Sequence, residues 1–261
     1  MIRVYADFEA LSRAAADLFV SEARRAAEAR GRFAVLLAGG ETPRRTYELI
    51  ATSPFRDRVP WSVVHIFWGD ERCVPPDDSR SNAQMARRAL LDHVPVPPAQ
   101  IHPIACSGSP GEGAAEYEEL LRTFFAADMP GFDLAFLGLG ENGHTASLFP
   151  GTAAVAERER WVTEVYVPEE KLHRVTLTVP VINRTALVAF LVTGSGKAEV
   201  LREVLEGTAD PLLLPARLIR PVKGELLWMV DHEAARLLHP EKGGVIAAER
   251  CGRGGRPDQN R

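Results

Sequence analysis

The chain has 261 residues, 46% of them hydrophobic and 25% charged, with a formal net charge of −4. These averages exclude intrinsic disorder, a collagen repeat and a coiled-coil rod. The mild acidity, with a pI near 6.0, speaks against a nucleic-acid binder, which needs a clustered basic face. The longest apolar runs, 33–38 and 186–192, fall well short of the roughly 18 residues needed to span a bilayer. No basic-then-apolar leader opens the sequence, so a cytoplasmic protein with no membrane contact is expected.

Short apolar strands alternate with amphipathic helices. Residues 7–30 carry Phe8, Leu11, Ala15, Leu18 and Phe19 on one helical face, with Asp7 as N-cap and Gly31 as the stop. Residues 33–38 form a continuous apolar run, the mark of a strand buried on both faces. A helix over 44–51, a strand over 61–68 and a helix over 81–93 follow. A Pro-rich connector at 95–98 leads to a short strand over 101–104, a helix over 113–127 and a strand over 132–137.

The second half is less regular. Strands are expected at 161–167, 175–179, 186–193 and 226–230, with helices at 197–206 and 233–238. The alternation predicts an α/β fold, a mostly parallel, doubly wound, Rossmann-like sheet with helices on both faces and a few additional strands. Residues 1–240 read as one domain. Residues 241–261 are Gly-rich, polar and aperiodic and read as a flexible tail. Cys73, Cys106 and Cys251 are odd in number and far apart, so no disulfide is expected. The histidines lack metal-ligand spacing, so no metal is expected either.

Ligands of open α/β sheets bind beyond the carboxyl ends of the strands, and four segments there carry unusual chemistry. Gly39-Gly40-Glu41-Thr42-Pro43 offers close backbone approach, with Thr42 capping a helix whose positive end suits an anion. The alternative is an ordinary strand-to-helix turn. Asp70-Glu71-Arg72 places three charges at a buried strand's end, where they need partners or a function. Arg72 can hold a substrate oxygen with Asp70 orienting it, or the three form a surface ion-pair cluster.

The third segment runs from Gly138 to Gly151. Its G-x-G-x-x-G at Gly138, Gly140 and Gly143 is a poor dinucleotide fingerprint, because Pro150-Gly151 stops any helix within about two turns. The useful residue is His144, placed where a short helix would start and able to act as a general base. The fourth, Gly194-Ser195-Gly196-Lys197, lacks the first glycine and the final Ser/Thr of a nucleotide-binding loop. It still suits a monophosphate. Arg174 is either a second cation there or a solvated strand charge.

Taken together, GGETP, GDERCVP with Ser81-Asn82, GLGENGHTASLFPG, RVTLTVPVIN and VTGSGKAEVL resemble the glucosamine-6-phosphate isomerase/6-phosphogluconolactonase family. They run in the family's order over roughly residues 33–207. GHTASLFPG is lactonase-like. The resemblance implies hydrolysis of a small sugar-phosphate lactone, 6-phosphoglucono-δ-lactone, in the oxidative pentose phosphate pathway, without cofactor, by a monomer or small homo-oligomer. It makes His144 the base that takes a proton from attacking water and returns it to the leaving ring oxygen. Arg72 and Asp70 then serve the reacting centre. Gly39, Gly40, Thr42, Arg174 and Lys197 hold the phosphate. Asn142 stands where the family usually has Asp, so either Glu141 or Asp70 compensates or His144 is a weaker base. The competing readings are a glucosamine-6-phosphate deaminase or isomerase, and a sugar-phosphate-sensing module. No helix-turn-helix segment supports the latter.

Overall fold

The computed structural model describes residues 1–106, 108–126 and 131–239, and the backbone of 245–247. The strands in chain order are β1 (Ile2–Tyr5), β2 (Phe33–Leu37), β3 (Val64–Trp68), β4 (Asp70–Arg72), β5 (Ile101–His102) and β6 (Leu134–Leu137). They continue as β7 (Val162–Val167), β8 (Leu172–Leu177), β9 (Leu187–Val192), β10 (Glu225–Asp231) and β11 (Val245–Ala247). The helices are α1 (Phe8–Arg30), α2 (Glu41–Ile50), α3 (Asn82–Ala89), α4 (Pro110–Phe125), α5 (Ala153–Ala156), α6 (Val179–Ile182), α7 (Ala198–Glu206) and α8 (His232–Ala235).

Eight strands form a sheet in the order β11-β1-β10-β9-β6-β2-β3-β5, and every pairing in it is parallel. The other three form an antiparallel sheet, β4-β8-β7. This is the mostly parallel α/β architecture the alternation predicts, with the expected extra strands. All residues of β2 and β9 are buried. Their unbroken apolar runs therefore reflect a sheet covered on both faces. Phe190 stacks on Trp228 at 3.9 Å in adjacent central strands.

Local chemistry sets the boundaries. Asp7 caps α1, its Oδ1 accepting from Ala10 N at 2.8 Å, and Gly31 ends it at φ 65°. α2 begins at Glu41, three residues before the expected start, with Gly40 rather than Thr42 as N-cap. A proline in the first turn cost no hydrogen bond there, so Pro43 did not mark the boundary. β1 is absent from the sequence expectations. Its four residues are too few to show a period. α4 ends at Phe125, and Ala127 lies outside the described residues. Of the expected tail, Val245–Ala247 pairs with β1 as β11. The rest, with Cys251, lies outside the described residues.

Two corrections concern the region after β3. Asp70-Glu71-Arg72 is a strand, not a loop, because the chain leaves the parallel sheet at Gly69 and pairs with β8. Cys73 and Cys106 are disulfide-bonded, with Cα atoms 5.3 Å apart. β3 and β5 are parallel neighbours, so the segments after them emerge side by side despite a sequence separation of 33.

The sheet edge carries a histidine pair. His65 Nδ1 lies 3.3 Å from His102 Nε2, and His102 stacks on Phe67 at 4.4 Å. Burial, then the neighbouring His65, lowers His102 to about 4. In the unfolded chain it titrates near 6.5. Protonation therefore favours unfolding: stability is held above about pH 6.5 and is lost as pH falls toward the folded value. Calorimetric melting between pH 7 and 4 is expected to show a smaller loss for His102→Phe than for wild type. Parallel curves would refute this role.

Candidate active site

From β2 the chain builds outward through β3 to β5, then returns to the other side of β2 with β6. Ligands of such sheets bind where the strand order reverses. A cavity of about 390 Å³ lies there. It is lined by Gly39, Gly40, Thr42, Asp70, Arg72, His144, Arg174 and Lys197. Asn142, the ninth expected site residue, touches the cavity only through His144. Two loops come from the switch point itself, after β2 and β6. Lys197 follows β9, and the remaining charges come from the small sheet.

The pleat of β4 sorts its three charges. Asp70 pairs with Thr176 and Arg72 with Arg174, so these four share one face, toward the cavity. Glu71 points to the other. There its carboxylate accepts from Arg72 N, Asn82 N and Ala83 N, each at 2.7 Å, and from the Ser81 hydroxyl at 3.0 Å. Burial raises its pKa against the pull of these donors. Glu71 is therefore an anchor for the start of α3.

Asp70 does not hold Arg72 as expected. Its Oδ2 accepts from Ser147 Oγ at 2.6 Å and lies 3.5 Å from Arg174 Nη1. Arg72 is held by Asn82 instead: Nη1 donates to Asn82 Oδ1 at 2.9 Å and to Arg80 O at 2.8 Å. The amide nitrogen of Asn82 donates to Asp70 O at 2.9 Å. Gly39 makes room for this: a Cβ there would sit 2.0 Å from Asn82 Oδ1. Asn82 is thus the link between Asp70 and Arg72. Its sequence signal was the Ser81-Asn82 pair downstream of GDERCVP in the family resemblance, which gave it no role.

His144 begins no helix. Residues 141–152 run as turns, with one bridge between Thr145 and Leu148. Its ring stacks on Phe149 at 4.2 Å. Asn142 Oδ1 faces both His144 Nδ1, at 2.6 Å, and His144 N, at 3.2 Å. The backbone N–H can only donate, which orients the amide oxygen inward. That oxygen can only accept, so Nδ1 carries the proton and Nε2 the lone pair. Gly140 backs the ring, since a Cβ there would lie 2.0 Å from Nδ1. Burial lowers His144 to about 4, with Asp70 pulling up and Arg174 and Lys197 pushing down. The imidazole is neutral at pH 7. Glu141 lies instead 3.9 Å from Lys197 Nζ.

Arg174 is 4% exposed. Its Nη1 reaches Ser147 Oγ at 3.3 Å, and its Nη2 reaches both oxygens of Glu170 at 2.5 and 2.6 Å. Thr42 shares a 2.7 Å hydroxyl contact with Thr193. Gly194 N donates to both carboxylate oxygens of Asp231 at 3.0 Å, fixing the Lys197 turn. Ser147, Glu170, Thr193 and Asp231 escaped sequence reasoning, since each acts through a partner distant in sequence. Among the described residues no group of three or more His, Cys, Asp or Glu could hold a metal ion, and no helix is long and apolar enough to cross a membrane.

Residues 6–228 match the family model described as glucosamine-6-phosphate isomerases/6-phosphogluconolactonase. The chain is 45% identical to a 6-phosphogluconolactonase of Synechocystis over 81% of this chain and 87% of that protein. Against a Nostoc 6-phosphogluconolactonase it is 40% identical over 89% and 96%. The crystal structure of a Thermotoga maritima 6-phosphogluconolactonase superposes with a TM-score of 0.77 at 31% identity, covering 88% of this chain and 99% of that one. By a family model that spans most of its length and by these relatives, the chain belongs to the glucosamine-6-phosphate isomerase/6-phosphogluconolactonase family.

Proposed function

We propose that this protein hydrolyses 6-phospho-D-glucono-1,5-lactone to 6-phospho-D-gluconate with His144 as general base. The observation that carries the reading is an imidazole whose Nδ1 lies 2.6 Å from Asn142 Oδ1, in one cavity with Arg72, Arg174 and Lys197. The relatives' names supply the substrate class.

His144 Nε2 takes a proton from water as its oxygen attacks the lactone carbonyl. The tetrahedral intermediate collapses, the ring C–O bond breaks, and the imidazolium returns the proton to the leaving oxygen. One water is consumed and no net proton is taken up in these steps. Arg72 donates to the carbonyl oxygen, whose charge grows in the transition state. Asn82 and the Arg80 carbonyl set its direction. Arg174, Lys197, Thr42 and the amides of Gly39 and Gly40 hold the phosphate. Phosphate binding far from the reacting carbon then orients the lactone for attack.

In an assay following lactone loss, His144→Ala is expected to lower kcat by at least about 10²-fold, the usual worth of a general base. Binding of 6-phosphogluconate is expected to persist. Turnover unchanged in that variant would overturn the mechanism. Ammonia release from glucosamine 6-phosphate would instead favour a deaminase.

The pH profile gives a second test. Neutral His144 is the active form, so kcat/KM is expected to fall only as pH approaches about 4. In the bound complex the phosphate charge offsets Arg174 and Lys197, so the limb in kcat should lie higher. Asn142→Asp places a carboxylate against Nδ1, favours imidazolium and should move both limbs upward. An unmoved limb would deny that His144–142 contact a role in turnover.

A further inference from the structure

We propose that Glu170 is an intramolecular competitor that sets how strongly the site holds phosphate: its carboxylate occupies the Arg174 guanidinium in the free protein and must be displaced by the substrate's phosphate dianion. The inference rests on the reading of Arg174 as a phosphate ligand. Arg174 is buried among partners that differ in kind. Asp70 and Ser147 hold Nη1 from inside the fold. Nη2 is taken by Glu170 from outside, with both carboxylate oxygens within 2.6 Å.

Glu170 belongs to the turn between β7 and β8, where Glu170 N donates to Val167 O at 3.2 Å and Lys171 sits at φ 52°. Its side chain is 43% exposed, against 5% for Arg174. Its exposed side leaves it room to swing into solvent, whereas the guanidinium is enclosed and held by Asp70 and Ser147. The Arg174 contact holds its carboxyl below the usual range, with Arg72 adding to the pull. This acid therefore covers a cation that a substrate phosphate would need. Glu141 offers no parallel, since it is 82% exposed and only 3.9 Å from Lys197.

Two anions compete for one guanidinium. A carboxylate tethered by the chain has the advantage of local concentration. A sugar phosphate carries nearly two charges and three acceptor oxygens, and gains Lys197 and the α2 amino terminus as well. It wins the exchange. A monoanion such as formate matches Glu170 in charge but lacks the tether, so it loses. An unphosphorylated lactone brings no charge and leaves Glu170 in place. The displacement cost falls on every anion that reaches Arg174, so Glu170 lowers the affinity of the site for phosphate below what its attractive contacts alone would give.

The test titrates inorganic phosphate into the full chain by calorimetry, for wild type, Glu170→Gln, Glu169→Gln and Glu170→Asp. The Gln side chain keeps the shape of Glu170 and removes its charge. Glu170→Gln is expected to bind phosphate about two- to fivefold more tightly, the scale of a partly exposed ion pair. Glu169→Gln, which removes the same charge one residue away, should match wild type, and Glu170→Asp should return most of the way to it. In turnover, Glu170→Gln should lower KM by a similar factor with kcat within about twofold, and formate should inhibit it more strongly than wild type. Unchanged or weaker phosphate binding in Glu170→Gln, or an equal gain in Glu169→Gln, would overturn the proposal. Phosphate binding needs no turnover, so a wild type inactive on the lactone would defeat the catalytic reading and leave this result standing.

Discussion

One buried ion pair holds the cavity together. Asp70 and Arg174 are 6% and 4% exposed, and Ser147 bridges them, donating to one and accepting from the other. The three residues come from β4, β8 and the turn after β6. Their contact therefore joins the small sheet to the switch point of the large one. A buried pair of this kind adds little net stability over an apolar replacement, but losing one partner costs about 3–5 kcal/mol. Its contribution is location. Ser147 lies three residues from His144, so fixing the serine on Asp70 also fixes where the imidazole stands relative to Arg174.

The same pair explains how an acidic protein keeps a cationic site. The formal charge of −4 belongs to a surface screened beyond about 8 Å in physiological salt. Inside the cavity the balance is local and follows from strand parity. Alternation along β4 sends Asp70 and Arg72 inward and Glu71 outward, where backbone amides of α3 absorb its charge. Register with β8 then sets Arg174 opposite Arg72. Like charges side by side on a strand pair repel. Asp70 and Glu170 on one guanidinium, and Asn82 and a carbonyl on the other, make that placement tolerable.

Much of this was legible in the sequence, for a physical reason. Strands buried on both faces must be continuous apolar runs, so β2 and β9 announced themselves. The residues just beyond them carried the glycines and charges, and the cavity gathers eight of the nine residues expected. What failed depended on long-range contact. Asp70-Glu71-Arg72 looked like a loop because three charges resist burial, and only pairing with β8 makes them a strand. Cys73 and Cys106 looked unrelated because adjacency of β3 and β5 is not a local property. Asn82 and Ser147 carry no chemistry of their own. Their roles exist only through Arg72, Asp70 and Arg174.

Asn142 shows how far a neutral side chain can replace an acid beside His144, the histidine proposed as base. A carboxylate at this position does two things: it fixes the Nδ1 proton and it stabilises the imidazolium. The amide oxygen does only the first, and the backbone N–H of His144, bonded to the same oxygen, ensures the amide presents that atom. Burial then keeps His144 unprotonated throughout the neutral range, and as the proposed base it is intrinsically weaker. An ester already activated by its ring tolerates that exchange. The weaker base is compensated by having all of it in the reactive form, and Asp70 supplies, through space, the attraction for positive charge that residue 142 does not.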